Sequence, residues 1–217
     1  MTCSEPLVDA FQRRISYLRL SVTDRCDLRC RYCMPRETFG ADFPYLPRSE
    51  ILDFEEIDAI VRALLPLGIR KIRLTGGEPL LQKETPALMT ALCDAGFTVL
   101  LETSGAHDIS EIDPRVHRIV DLKCPSSGEC ERNLYSNLEH LRPGDEVKFV
   151  IGTREDYQWA SEHLRKINGR CEALFSWVNP LTPAQQSDVL NPVPADHTPI
   201  TRRELAEAII ADRLPVR

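Results

Sequence analysis

The stretch Ile15-Ser16-Tyr17-Leu18-Arg19-Leu20-Ser21-Val22-Thr23-Asp24-Arg25-Cys26-Asp27-Leu28-Arg29-Cys30-Arg31-Tyr32-Cys33 joins an alternating apolar run to three cysteines spaced four and three residues apart. Residues 15 to 22 have the period of a strand, and the cysteines follow it at once. Nothing from Met1 to Gln12 has the apolar run of a signal peptide or a basic stretch ahead of one, so the chain is expected to be cytoplasmic. Disulfides are rare there, and clustered cysteines read as ligands to a metal or cluster. Three thiolates in one short loop can hold three corners of a 4Fe-4S cluster and leave the fourth iron open. An open iron can chelate the amino and carboxylate groups of S-adenosylmethionine and pass an electron into its sulfonium. The other reading of the three cysteines is a zinc site completed by a histidine.

Working outward, the hydrophobic period alternates between helix and strand. A helix is expected from Phe54 to Leu67, with Asp53 as N-cap, Glu56 completing a capping box and Gly68 as the stop. Strands follow at Ile69–Thr75, Phe97–Glu102, Val116–Lys123, Glu146–Ile151 and Glu172–Val178. Further helices are expected at Thr85–Ala95, Glu131–Leu141, Glu155–Ile167 and Arg203–Ala211, the last with Thr201 near its cap. This alternation implies an α/β fold with a parallel sheet, open or curled into a barrel. We expect one domain over 1–217, with an N-terminal arm at 1–14 and a proline-rich loop or lid at 179–200. Leu214 to Arg217 would suit the start of another strand.

Net charge is -6 over 217 residues, which disfavours nucleic acid held by overall basicity. The stretch from Ala10 to Arg36 departs from this average, with seven arginines against Asp24 and Asp27. It reads either as a solvated face or as a site for an anionic ligand. No apolar run is long enough to cross a membrane. No nucleophile elbow or P-loop occurs, and the five histidines are dispersed, so hydrolase and nucleotide-triphosphatase readings lack support. Cys93, Cys124, Cys130 and Cys171 read as buried or incidental thiols, and Cys3 lies in the N-terminal arm.

A second motif, Thr75-Gly76-Gly77-Glu78-Pro79, ends the second expected strand. Glycines there let backbone approach a ligand, and Glu78 offers a carboxylate to an ammonium group. The segment from Leu18 to Cys26, Cys33-Met34-Pro35 and this Gly-Gly-Glu loop together resemble the radical S-adenosylmethionine superfamily. The resemblance implies a partial (β/α)6 TIM-like barrel, incomplete at its C-terminal edge. It also implies that Cys26, Cys30 and Cys33 hold the cluster and that Gly76, Gly77 and Glu78 meet the methionine end of the cofactor.

Two relatives within the superfamily share the chain. Residues from about 7 to 81 resemble the N-terminal part of GTP 3',8-cyclases, where Arg19, Lys71 and Arg73 match nucleotide-phosphate contacts. Residues from about 75 to 217 resemble 7-carboxy-7-deazaguanine synthases, through Gln82 to Pro86, Leu101 to Gly105, Asp121 to Glu129 and Glu146 to Ile151. In both, Tyr32 matches the position whose backbone contacts adenine, and Glu102 and Ser104 match holders of the ribose or methionine end. Lys123 and Ser126 match a following cofactor-contacting loop; taken singly they read equally as a solvated lysine and a strand-end turn.

The expected reaction is conversion of 6-carboxy-5,6,7,8-tetrahydropterin to 7-carboxy-7-deazaguanine and ammonia, a lyase step of queuosine-type biosynthesis. A GTP cyclase and an inactive cluster- or zinc-binding module are the alternatives. The resemblance further implies magnesium as a helper, a small pterin or purine nucleotide as substrate, flavodoxin or ferredoxin as electron donor, and a homodimer. The chain departs from the synthases in lacking their glutamine-glycine-glutamate opening and their closing histidine-lysine strand. It also carries Met34 where they have a threonine associated with magnesium. It departs from the cyclases in lacking their long extension with a second cluster.

Overall fold

The computed structural model describes residues 6–167, 169–178 and 194–217. Six strands, β1 (Tyr17–Ser21), β2 (Lys71–Thr75), β3 (Thr98–Thr103), β4 (His117–Leu122), β5 (Glu146–Ile151) and β6 (Glu172–Trp177), follow chain order in one sheet. The recorded pairings are parallel. This is the α/β, partial (β/α)6 class anticipated above.

The chain divides into two compact units. The first comprises residues 1–26, 45–102 and 111–117, with β1 to β3 and the helices α1 (Phe54–Leu64) and α2 (Thr85–Asp94). Asp53 accepts the Glu56 N–H and the Glu56 carboxylate accepts the Asp53 N–H, so the expected capping box starts α1. The helix ends in a 3-10 turn, Leu65–Leu67, closed by Gly68 at φ 101°, where a side chain would be strained. Ile57 and Val61 of α1 and Leu88, Met89 and Leu92 of α2 are buried, as are Ile72 and Leu74 of β2. Burial of each such side chain contributes about 1.5–3 kcal/mol. Alternation leaves Lys71, Arg73 and Thr75 on the opposite face of β2.

The second unit comprises residues 27–44, 103–110 and 118–217, with β4 to β6 and the helices α3 (Arg154–Ile167) and α4 (Arg202–Ala211). Val147, Phe149 and Ile151 of β5 are fully buried, and Phe149 meets Trp159 of α3 edge to face. Glu146, Lys148 and Val150 alternate onto the other face. Thr201 caps α4 through a second capping box with Glu204. Arg217 pairs its backbone with Ala173 and Phe175 of β6, but residues 214–217, which suited the start of a strand, form none.

One expected helix does not form. Residues 131–141 hold two 3-10 segments, Cys130–Arg132 and Tyr135–His140, in place of a helix. The Asn133 side chain bonds the backbone N–H and C=O of Lys123 at 2.8 and 2.9 Å. The Asn137 side chain serves Gly105, Ile109 and His107. These two amides satisfy loop backbone that would otherwise be buried without partners, which fixes the segment in an irregular path. Most of the proline-rich loop expected at 179–200 lies outside the described residues; of its end, Pro199 bridges to Thr153 and His197 reaches the Thr153 hydroxyl.

Candidate cluster and cofactor site

In the first unit the Gly-Gly-Glu loop lies directly on the residues leading into Cys26. Gly77 N–H donates to the Thr23 carbonyl and Glu78 N–H to the Arg25 carbonyl, both at 2.8 Å. A Cβ on Gly77 would fall 2.1 Å from the Arg25 oxygen, and one on Gly76 would fall 2.3 Å from the Thr23 oxygen. The glycines are therefore required by the approach of one backbone segment to another, a reason the sequence reading, which gave them to a ligand, did not contain. Glu78 is fully buried, and its carboxylate accepts the Leu80 N–H at 3.0 Å. That bond fixes the carboxylate at the end of β2.

On the face of β1 to β3 turned away from the buried aliphatics, the register sets Arg19 beside Arg73. Both reach the same Glu102 oxygen, at 3.2 and 3.4 Å. Lys71 and Arg73 also lie over the Tyr17 ring, at 5.3 and 5.5 Å. The structure thus brings together Arg19, Arg73 and Glu102, assigned from sequence to different ligands, and places Lys71 one pleat away.

In the second unit Cys30 is buried and Cys33 exposed, while Cys26 at the end of the first unit is intermediate. The N–H groups of Cys33 and Met34 both donate to the Cys30 carbonyl, forming a tight turn. The loop after β4 braces this turn. Arg31 N–H donates to the Ser127 carbonyl, Arg29 N–H to the Glu129 carboxylate, and Gly128 at φ 77° packs on the Arg31 side chain. Asp27 receives His107 at 3.1 Å and Arg132 at 2.9 Å. Burial alone would raise the Asp27 pKa, but the hydrogen bond and charge of His107, with Arg132, hold it below the ordinary range.

Ser126 is buried, with its hydroxyl 2.5 Å and its N–H 2.9 Å from the Asp156 carboxylate. Asp156 also accepts the N–H groups of Gly152 and Thr153, so it ties the β4 loop to the start of α3. Nothing in the sequence reading singled it out. Lys123 donates to Asp121 at 3.0 Å, and Lys148 approaches the same oxygen at 3.4 Å. The Tyr32 hydroxyl is buried, and its pKa is pushed well above the usual value by that burial and then by the charge of Asp121. Ser104 is buried and its hydroxyl lies 3.5 Å from the Ala106 N–H.

The donor set of the 26–33 loop suits an iron-sulfur cluster: three thiols, none in a disulfide, on backbone fixed by neighbouring loops. Among the described residues, no three His, Cys, Asp or Glu side chains are grouped closely enough to hold a metal ion. Met34 presents a thioether, which is no ligand for a hard cation such as magnesium. Cys124, in the core, and the half-buried Cys171 have thiols made less acidic by burial, that of Cys171 pushed up to about 11.

The family model of the radical SAM superfamily matches residues 20–171. The chain belongs to the radical SAM superfamily. It is 37% identical over 193 residues to a 7-carboxy-7-deazaguanine synthase from Koribacter versatilis, covering 88% of this chain and 80% of the relative. A GTP 3',8-cyclase from Acidothermus cellulolyticus is 57% identical over 91 residues, which is 42% of this chain and only 25% of that enzyme. In the radical SAM fold, the crystal structure of Streptococcus suis SuiB superposes with a TM-score of 0.64 at 13% identity, over 92% of this chain and 47% of that one. At that identity the likeness concerns fold alone. Among the described residues no helix is long and apolar enough to cross a membrane.

Proposed function

We propose that this radical SAM enzyme is a 7-carboxy-7-deazaguanine synthase, converting 6-carboxy-5,6,7,8-tetrahydropterin to 7-carboxy-7-deazaguanine. The observation that carries the reading is extent: similarity to named synthases runs through 88% of the chain and 80% of the relative. The reaction balances as loss of one ammonia with no net oxidation, so the cofactor can be used catalytically. Cys26, Cys30 and Cys33 would hold the cluster, which with S-adenosylmethionine supplies reductive cleavage and hydrogen-atom abstraction. The buried Glu78 carboxylate is suited to an ammonium group of the cofactor. Arg19 and Arg73 aim the Glu102 carboxylate, which can accept hydrogen bonds from a hydroxyl or ring N–H. A low-potential donor of the flavodoxin or ferredoxin type would deliver the electron.

The test is anaerobic reconstitution with iron and sulfide, followed by incubation with S-adenosylmethionine, dithionite and the tetrahydropterin. Mass spectrometry should find 7-carboxy-7-deazaguanine. A second reading, GTP 3',8-cyclase, is favoured by the 57% identity of the N-terminal 42% of the chain. Cyclised nucleotide formed from GTP, with no deazaguanine from the pterin, would install that reading instead.

A further inference from the structure

Asp121, the next-to-last residue of β4, lies in register with Lys148 of β5. Strand alternation puts both on the face opposite the buried Val147, Phe149 and Ile151. One Asp121 oxygen, Oδ2, takes Lys123 and Lys148 together. The other, Oδ1, is buried without a hydrogen-bond partner, on a residue only 7% exposed. The Tyr32 hydroxyl of the same unit is a second buried polar atom without a partner.

An unsatisfied oxygen on a buried carboxylate is unfavourable, so a purely structural ion pair would be expected to engage both oxygens. The position, at the C-terminal end of a barrel-type strand, is where such folds place ligand-binding side chains.

We infer that Asp121 Oδ1 accepts a hydrogen bond from the N–H-bearing edge of the substrate ring. The ligand class is a nitrogen heterocycle with an amino-substituted, amidine-like edge. Both a carboxypterin and a guanine nucleotide belong to it. The inference rests on the proposed function in taking the substrate to be such a ring, but it does not depend on which of the two is bound.

The experiment measures equilibrium binding to the cluster-reconstituted protein with S-adenosylmethionine and no reductant, so that nothing turns over. The probes are 6-carboxypterin and 6-carboxylumazine, whose 2-amino group is replaced by a carbonyl, and GTP beside xanthosine triphosphate, which makes the same change. Wild type should prefer the amino-bearing ring. Asp121→Ala should weaken that ring about 10- to 100-fold, the loss of one charge-assisted hydrogen bond, and erase the preference. Asp121→Asn, which keeps the shape of the side chain, should fall between the two. Equal weakening of both rings by Asp121→Ala would mean a structural role, and unchanged affinity no role; either overturns the inference. Selective binding of GTP with the same dependence on Asp121 would support it while overturning the synthase reading. Binding of neither ring would overturn both.

Discussion

The Glu129 carboxylate accepts the backbone N–H of Arg29 at 3.0 Å. Glu129 lies in the loop after β4 and Arg29 stands one residue before Cys30, so the main chain of the cysteine loop is set from a distant part of the sequence. Glu129 is only 7% exposed, and its removal would leave the Arg29 N–H without this acceptor. We expect Glu129→Ala to destabilise the fold by about 1–3 kcal/mol and to lower iron bound per chain after reconstitution. Thermal unfolding of the iron-free protein and iron analysis of the loaded one check the two parts. Full iron loading in the variant would show that the brace is dispensable.

Gly77 and Gly96 separate two reasons for glycine. At Gly77 an added Cβ would lie 2.1 Å from the Arg25 oxygen, whereas at Gly96, φ 86°, it would meet nothing within 4 Å. Gly96→Ala should therefore cost only the local backbone strain, about 1–2 kcal/mol. Gly77→Ala must displace the segment that leads into Cys26 and should both unfold more readily and lose iron. Comparable denaturation midpoints for the two variants would contradict this.

How much of this was legible in the sequence differs by element. The start and stop of α1 could be read because Asp53, Glu56 and Gly68 act within a few residues of one another. The 131–141 segment was misread as a helix because its apolar spacing is helical while its course is decided by where Asn133 and Asn137 send their amides, to backbone ten and about thirty residues away. Two asparagines four residues apart inside a helical pattern were the available signal, given how readily such side chains compete for backbone bonds. The cysteines and the Gly-Gly-Glu loop were visible as motifs. The meeting of Asp121 with Lys148, and of Asp156 with Ser126, depends on strand register and loop packing, which short-range pattern does not encode.

His163 should make stability depend on pH. Burial lowers its pKa from 6.5, with Lys166 adding to the effect against the opposing bond to the Trp159 carbonyl. The folded state therefore prefers the neutral ring, and the unfolded chain binds the extra proton first as pH falls. Stability from this group is present above about 6.5 and is lost as pH drops through the lower folded value. His163→Phe retains an aromatic ring to stack on Trp159 and should flatten this part of the profile. Urea midpoints of the two proteins, compared at neutral and mildly acidic pH, should converge on acidification. A difference constant with pH would remove His163 from the account.

Arg118 and Asp145 form a buried ion pair at 2.6 Å, each side chain 3% exposed. The Asp145 carboxylate also accepts the backbone N–H groups of Arg118 and Arg142. Removing one partner strands a charge, and Asp145→Ala should destabilise by about 3–5 kcal/mol. Replacing both with apolar residues of similar volume should recover part of that loss, less the two backbone bonds. Chemical denaturation of the single and double variants measures the difference, and a double variant no more stable than the single would show that the backbone bonds dominate.

The thiols give the last contrast. Cys26, Cys30 and Cys33 lie on backbone held by neighbouring loops, whereas the thiol of Cys124 is fully buried and made less acidic by that burial. Ligation needs the thiolate, and at Cys124 burial outweighs the opposing charge of Lys123, which argues against it as a ligand. Cys30→Ala should abolish the visible charge-transfer absorption and the iron content of reconstituted protein, and release no 5'-deoxyadenosine under dithionite. Cys124→Ala should keep both within experimental scatter while lowering the unfolding midpoint slightly through the small cavity it leaves. If Cys30→Ala instead retained stoichiometric iron, the 26–33 loop would not be the cluster site, and the reasoning from thiol spacing to cofactor would fail at its first step.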